Sequence, residues 1–170
     1  MQKKLLNSFI IAVFILFSRQ SIAIESLAKT ALVIDLSTNE VLLEKNSKVK
    51  TYPSSMTKMM TALVAFEKIK NGTLSLDQEF LISKKAWKMG GSKMFIEVDK
   101  RVKVYDLLLG VIVQSGNDAS IALAEGISGS EEIFAIEMNN LGKKIGLKGT
   151  NFTNSSGWPD DNHYTTAEDL

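Results

Sequence analysis

Two short groups of polar residues in this 170-residue chain could carry out covalent chemistry together. Ser55 and Lys58 lie three positions apart, and Ser115 and Asn117 lie two apart. On a helix, the first spacing puts both side chains on one face, where an uncharged lysine can take the hydroxyl proton and leave a nucleophilic oxygen. In the second group, we expect Ser115 to relay a proton. We expect Asn117 to accept a hydrogen bond from Lys58 and donate one to a substrate carbonyl.

The spacing of Ser55 and Lys58 is not informative by itself. A serine three residues before a lysine is about as frequent here as the composition allows by chance, in the pairs Ser26/Lys29, Ser47/Lys50 and Ser55/Lys58. The third pair differs because it falls at the start of a strongly predicted helix. Pro53 suits a first helical turn, and the Thr51 hydroxyl can cap that turn.

The predicted helix behind this pair would also activate it. Apolar residues recur at helical spacing from Met56 to Ile69, and Asn71-Gly72 supplies a stop. The positive end of the helix dipole favours a developing oxyanion near Ser55. Three methionines flank Lys58, so we expect the lysine to be desolvated and its charged form disfavoured.

The first 23 residues have the pattern of a signal peptide. Lys3 and Lys4 precede an apolar run over residues 5–17, and Ser21-Ile22-Ala23 offers a small-x-small cleavage site. The run is short for a spanning helix, which needs about 20 residues. We therefore predict that residues 1–23 are a signal peptide, with an uncleaved anchor as the alternative, and that residues 24–170 form one exported domain.

The composition excludes several other functions. A net charge of +1 gives no reason to expect nucleic acid or electrostatic membrane binding. With no cysteine and one histidine there is no disulfide framework, lipoprotein site or usual zinc spacing, so we expect no metal and no cofactor. His163 is predicted to be a turn or surface residue. Without a Gly-x-Ser-x-Gly motif, a Ser-His-Asp hydrolase is poorly supported.

The elements before the second motif alternate between strand and helix. Residues 31–36 and 40–44 read as a hairpin around a polar turn, and the first strand, apolar on both faces, is expected to lie between layers. After the Ser55 helix we predict an extended piece at 79–82, a helical turn at 84–89, and a tight loop at Gly90-Gly91.

The second half of the chain is predicted to be mostly helical. A helix begins at Val104, and one stripe on it is formed by Tyr105, Leu108, Leu109 and Ile112. A polar interruption at 114–118 separates it from helices over 119–127 and 131–145. Polar side chains inside a helical layer must find partners or serve a site. A final helix is predicted to start near Thr165 or Thr166 as its cap.

These motifs together resemble the D-alanyl-D-alanine carboxypeptidases, the low-molecular-mass penicillin-binding proteins that trim peptidoglycan. The resemblance extends over nearly the whole mature sequence in the order of the family, through residues 31–44, 53–60, 91–95, 114–119 and 163–166. It implies an α/β fold of α+β type, the β-lactamase and penicillin-binding-protein transpeptidase fold. The part expected here is the helical half and the N-terminal hairpin of an antiparallel sheet.

The resemblance also implies residue roles and ligands. Ser55 would be the acylated nucleophile, Lys58 its general base, Ser115 a proton-transfer residue and Asn117 a substrate contact. The implied reaction removes the terminal D-alanine from a peptidoglycan stem peptide, and penicillin would inhibit it by acylating the same serine. No cofactor is implied, and membrane contact would come only through a C-terminal anchor of the family.

One motif of the family is missing from the printed sequence. No Lys-Thr-Gly follows Asn117, although that strand in the family holds the substrate carboxylate and one oxyanion donor. We therefore expect an N-terminal part of the catalytic domain with weak or no activity. The alternatives are a class A-like β-lactamase and a non-catalytic peptidoglycan or penicillin binder. A β-lactamase is less favoured because residues 158–161 contain no glutamate to deacylate the enzyme.

Overall fold

A computed structural model describes residues 26–170 of the chain. The predicted signal peptide, residues 1–23, lies outside the described residues. The chain divides into two compact units, one ending at Lys45 and the other running from Asn46 to Leu170. In the described part, no helix combines the length and the apolar character needed to cross a membrane.

The first unit contains the predicted hairpin. Strand β1 (Ala31–Asp35) pairs antiparallel with β2 (Glu40–Lys45), and a bulge follows Val33. The Asp35 carboxylate closes the turn by accepting hydrogen bonds from the amide of Ser37 at 2.8 Å and from its hydroxyl at 2.6 Å. An aspartate that bonds the backbone two residues on is a frequent turn former.

The expectation that β1 lies between two layers is wrong for this structure. Val33 and Ile34, on opposite faces of the strand, are each 41% exposed. Within residues 26–170, β1 pairs only with β2, and these two strands form a sheet of their own. A two-stranded ribbon cannot cover both of its faces.

The second unit is organised around the Ser55 helix. A 3₁₀ turn (Ser54–Met56) leads into α1 (Thr57–Lys70), which ends at Asn71 with Gly72 in a left-handed conformation, as predicted. The predicted Thr51 cap is wrong, because no side chain among residues 26–170 caps this helix start. Instead Thr51 forms a backbone bridge with Thr165, with N–H···O distances of 2.8 and 2.9 Å.

Four further helices pack with α1 and two short strands. They are α2 (Lys84–Lys88), α3 (Val104–Ile112), α4 (Asn117–Ser128) and α5 (Glu131–Ile145). Strand β3 (Glu79–Leu81), predicted as an extended piece, pairs with β4 (Arg101–Lys103). Strand β4 was not predicted from the sequence. Helix α4 lies at the centre of the layer and contacts all four other helices and β3. Residues 117–124 at its start are all buried, so both the polar motif and the core depend on this helix.

Of the stripe on α3, only Leu108 is buried. Tyr105, Leu109 and Ile112 are about half exposed, whereas the buried residues are Val104, Leu107, Leu108, Gly110 and Val111. Helix α3 is apolar on most sides, so periodicity alone does not select the face that packs. The packing is decided by α4, whose Ala119, Ala122 and Leu123 share a core with Leu107, Leu108 and Val111.

Residues 166–170 form one turn with the hydrogen bonds of the predicted helix start, since the Thr166 carbonyl accepts from the amide of Leu170 at 3.1 Å. The Thr166 hydroxyl accepts a hydrogen bond from the amide of Asp169 at 3.1 Å, as a cap would. Residues 167–169 form a turn, and the Asp169 carboxylate accepts further bonds from Gly149 and Thr150 at 2.7 and 2.6 Å.

Candidate active site

The Lys58 amine lies at the centre of the polar cluster. Its Nζ donates to Asn117 Oδ1 at 2.7 Å, to the Ser156 carbonyl at 2.8 Å and to Ser55 Oγ at 3.3 Å. Lys58 is only 5% exposed, and burial lowers the pKa of its ammonium to about 8. About one tenth of the molecules then carry an uncharged amine at pH 7, roughly 300-fold more than for an ordinary lysine.

The structure brings the two predicted motifs together. Ser55 and Asn117 both hydrogen-bond Lys58, so the bond predicted between Lys58 and Asn117 is present. Ser115 lines the same cavity of about 380 Å³ as Ser55 and Lys58. Across residues 26–170, however, its hydroxyl makes no hydrogen bond with any of the other three residues. The geometry thus joins three of the predicted residues directly and places the fourth beside them.

The predicted desolvation of Lys58 is present, but two of the three methionines are not its cause. Met56 and Met59 are about half exposed, and only Met60 is buried. The groups that close over the amine are the Asn117 side chain and the Ser156 backbone, which are remote in sequence. Ser55 itself is exposed, so its hydroxyl faces solvent while the Lys58 side chain behind it is buried.

A glycine loop holds Asn117 in place. Its amide Nδ2 donates to the Gly90 carbonyl at 2.8 Å, and its backbone amide donates to the Ser92 carbonyl at 2.7 Å. Between them Gly91 has φ +78°, and a Cβ there would lie 2.6 Å from Asn117 Nδ2. The predicted tight loop at Gly90-Gly91 is confirmed, and its role is to let the backbone approach this amide closely.

Asp118 fixes the other side of the same loop. Its buried carboxylate accepts backbone hydrogen bonds from Met94 at 2.8 Å, Phe95 at 2.9 Å and Ile96 at 3.3 Å. A carboxylate that binds several backbone amides holds them more firmly than a neutral acceptor would. The polar interruption between α3 and α4 is therefore tied to residues 90–96 through two successive side chains.

Residues 154–158 belong to a stretch whose sequence predicts a loop, but the sequence did not predict that this loop supplies the third partner of Lys58. The Asn154 side chain organises this loop, because its Oδ1 accepts from the amides of Gly157 at 2.8 Å and Trp158 at 3.0 Å. Gly157, at φ +81°, packs directly on the Ser54 carbonyl, where an added Cβ would overlap that group. The Asn-Ser-Ser-Gly composition signals a turn, but it does not reveal that the turn contacts the helix start.

We expect Gly157→Ala to destabilise the second unit by about 3 kcal/mol, because the new methyl group combines left-handed strain with overlap on the Ser54 carbonyl. Urea unfolding would measure the change. Gly129→Ala is the matched control, since Gly129 has φ +83° but open space around its Cβ position. Equal losses of stability in the two variants would contradict the close contact at Ser54.

The prediction that His163 is a turn or surface residue is wrong with respect to its exposure. Its side chain is 2% exposed and packs edge-on against Phe152. Nδ1 accepts from the amide of Thr153 at 3.0 Å, so Nε2 carries the proton and donates to Thr57 Oγ1 at 2.8 Å. His163 therefore supports the start of α1 and has no contact with the Ser55 hydroxyl.

We expect stability to decrease below about pH 6.5 because of His163. Burial lowers the pKa of its imidazole, and the carboxylates of Asp160 and Glu131 oppose that shift only in part. The unfolded chain then binds the proton more readily than the folded chain, so stability is lost as the pH falls through the ordinary histidine range. Urea midpoints at pH 7 and pH 5 would measure this. His163→Gln should show a smaller decrease, and an equal decrease in both proteins would contradict it.

The structural comparisons define the class of protein first. A crystal structure of the D-alanyl-D-alanine carboxypeptidase DacD from Francisella tularensis matches 86% of this chain with a TM-score of 0.83 and 42% identity, over 36% of its own length. Penicillin-binding protein 5 from Haemophilus influenzae matches 86% of this chain with a TM-score of 0.82 and 40% identity, over 43% of its own length. The fold is that of the penicillin-binding DD-peptidases, as predicted.

The sequence comparisons then identify the family. The family model for D-alanyl-D-alanine carboxypeptidase, peptidase family S11, matches residues 17–170, and the chain belongs to this family. The carboxypeptidase DacF of Bacillus subtilis is 43% identical over 143 residues, and DacA of H. influenzae is 40% identical over 146. Each alignment covers 84% of this chain, which spans about 37% of the length of these relatives.

Proposed function

We propose that the chain carries the nucleophile half of a serine-type D-Ala-D-Ala carboxypeptidase, with Ser55 as the acylated residue. The observation that carries this proposal is the Lys58 amine, which is buried, has a lowered pKa and lies within hydrogen-bonding distance of Ser55 and Asn117. A lysine is a usable general base only when part of it is uncharged near neutral pH, and desolvation provides that condition.

The proposed reaction is acyl transfer in two steps. Ser55 Oγ attacks the carbonyl carbon of the penultimate D-alanine, while its proton passes to Lys58 Nζ. The peptide C–N bond then breaks, and the terminal D-alanine leaves after its nitrogen gains a proton, relayed through Ser115. Water, deprotonated by the same amine, attacks the ester carbonyl; the ester C–O bond then breaks, Ser55 Oγ regains a proton from Lys58 Nζ, and the shortened peptide is released.

Asn117 is proposed to bind the substrate as well as the base. Its Oδ1 is occupied by Lys58, and one Nδ2–H is occupied by the Gly90 carbonyl. A side-chain amide has two N–H donors, so the second can bind a carbonyl of the peptide next to the bond that is cleaved. Asn117 would then align the peptide and the base through one rigid group.

The proposed setting is the bacterial cell wall. The sequence of residues 1–23 supports export to the periplasm or the outer face of the cytoplasmic membrane, where peptidoglycan stem peptides ending in D-Ala-D-Ala are found. β-Lactam antibiotics would acylate Ser55 in place of the peptide. Cell-wall biogenesis and cell shape are the processes that such trimming would serve, and membrane attachment would come only through a C-terminal anchor of the family.

Incubation with fluorescent penicillin, followed by intact-mass measurement and peptide mapping, tests the proposal. Slow formation of a stable adduct on Ser55, with little or no release of D-alanine from a D-Ala-D-Ala peptide, is the expected result, because the printed sequence has no Lys-Thr-Gly after Asn117. Rapid turnover of the penicillin would indicate a β-lactamase instead. A folded chain that takes no label, as shown by circular dichroism, would indicate a non-catalytic binder and would overturn the proposal.

A further inference from the structure

A buried carboxylate on α5 holds the loop that covers Lys58. Glu131 is the first residue of that helix and is only 7% exposed. Its Oε1 accepts hydrogen bonds from the Ser155 amide at 3.0 Å and from the Ser155 hydroxyl at 2.7 Å, while Oε2 pairs with Lys85 Nζ at 3.0 Å. Both oxygens of this carboxylate therefore have hydrogen-bond or ion-pair partners. Glu131 has no part in the reaction proposed above.

The other side of the same loop contacts α1. The Ser155 carbonyl accepts a hydrogen bond from Thr61 Oγ1 at 2.6 Å, and the Ser156 carbonyl accepts one from Lys58 Nζ at 2.8 Å. The amide that Glu131 holds and the carbonyl that binds the base thus belong to consecutive residues. A loop peptide without helix or strand partners can rotate, so its direction depends on such side-chain anchors.

We propose that Glu131 is a positioning residue for Lys58, which acts by clamping Ser155 so that the Ser156 carbonyl stays over the lysine amine. The role of Lys58 as the base rests on the proposed function, whereas the clamp itself rests on the contacts. When the clamp is removed, the loop can lift and water can reach the amine. Hydration favours the charged ammonium, so the lysine loses its basic form near neutral pH.

The neighbouring residue provides a matched comparison. Glu132 also pairs with Lys85, at 3.0 Å, but its side chain is 73% exposed and, within the described residues, makes no hydrogen bond or ion pair with the 154–158 loop. Removal of either carboxylate changes the net charge by the same amount and removes one of the two ion pairs of Lys85. Only the removal of Glu131 takes away the hydrogen bonds to the Ser155 amide and hydroxyl.

Titration of the lysine side chains by carbon-13 NMR on the full chain tests the clamp directly. In the native chain Lys58 should titrate near 8. In Glu131→Ala its pKa should move toward the ordinary lysine value, with a roughly tenfold lower fraction of neutral amine at pH 7. Glu132→Ala should leave the titration of Lys58 unchanged. Glu131→Gln keeps an oxygen that can accept both hydrogen bonds from Ser155. The pKa of Lys58 in this variant should therefore be closer to its native value than it is in Glu131→Ala.

An unchanged titration of Lys58 in folded Glu131→Ala would overturn the proposal. If that variant does not fold, Ser155→Ala removes only the hydroxyl part of the clamp and should move the pKa of Lys58 in the same direction by less. The outcome is separate from that of the proposed function. If the native chain is not labelled by penicillin, the proposed enzyme function is wrong. If the pKa of Lys58 still depends on Glu131 in that chain, the proposed clamp remains supported.

Discussion

Replacement of Ser55 by alanine is expected to abolish covalent labelling by fluorescent penicillin. The hydroxyl oxygen of Ser55 is the atom proposed to form the acyl bond, and its removal leaves Lys58 without a nucleophile to deprotonate. The loss should be complete at every penicillin concentration, and it should not be rescued by raising the pH. Gel fluorescence and intact mass would measure it.

The adjacent serine provides the control for this experiment. Ser54 is also exposed and carries the same hydroxyl group, but it makes no hydrogen bond to Lys58 within residues 26–170. Ser54→Ala should therefore retain labelling at close to the native rate. Labelling that persists in Ser55→Ala, or that disappears only in Ser54→Ala, would show that the nucleophile has been assigned to the wrong residue.

Replacement of Lys58 by methionine should slow acylation by about 10³-fold, which corresponds to about 4 kcal/mol in the activation free energy. Methionine has a similar length and keeps the buried position filled, so the loss reports the amine and not a cavity. The native rate should increase about tenfold per pH unit and level off near pH 8, because only the uncharged amine accepts the proton. The residual rate of Lys58→Met should lack this dependence.

Lys70→Met is the matched control on the same helix. Lys70 is exposed at the end of α1, so its replacement removes one positive charge without touching the site. It should acylate at the native rate with the native pH profile. A rate in Lys58→Met within about threefold of the native rate would contradict the assignment of Lys58 as the base.

Local sequence patterns predicted the parts of the site that lie within a single turn or helix. The bounds of α1 followed from Pro53 and from Asn71-Gly72, because proline and glycine act on the backbone wherever the chain then packs. The hydrogen bond between Lys58 and Asn117 was also predicted, since these two residues belong to motifs whose order is characteristic of the family. The Thr51 cap failed because Thr51 instead forms a bridge with Thr165, which is 114 positions away by number.

The missed features all depend on contacts between distant segments. The Ser156 carbonyl is a backbone group, so no residue type marks it as a partner for Lys58. Glu131 reads as a favourable acid in the first turn of α5, which it is, but that explanation does not reveal its contact with Ser155. The choice of the buried face of α3 has the same origin, because a helix that is apolar on most sides takes its buried face from its neighbours.

The partners of Lys58 have a consequence for how reactivity arises during folding. Asn117 and Ser156 lie 59 and 98 positions away from it along the chain, so both bonds close long loops. Contacts between such distant residues form late in folding, after isolated helical turns have formed and unfolded repeatedly. In a newly synthesised chain that has not yet folded, Lys58 is therefore an ordinary charged lysine and Ser55 is unreactive. The reactive pair exists only after the whole helical layer has assembled around it.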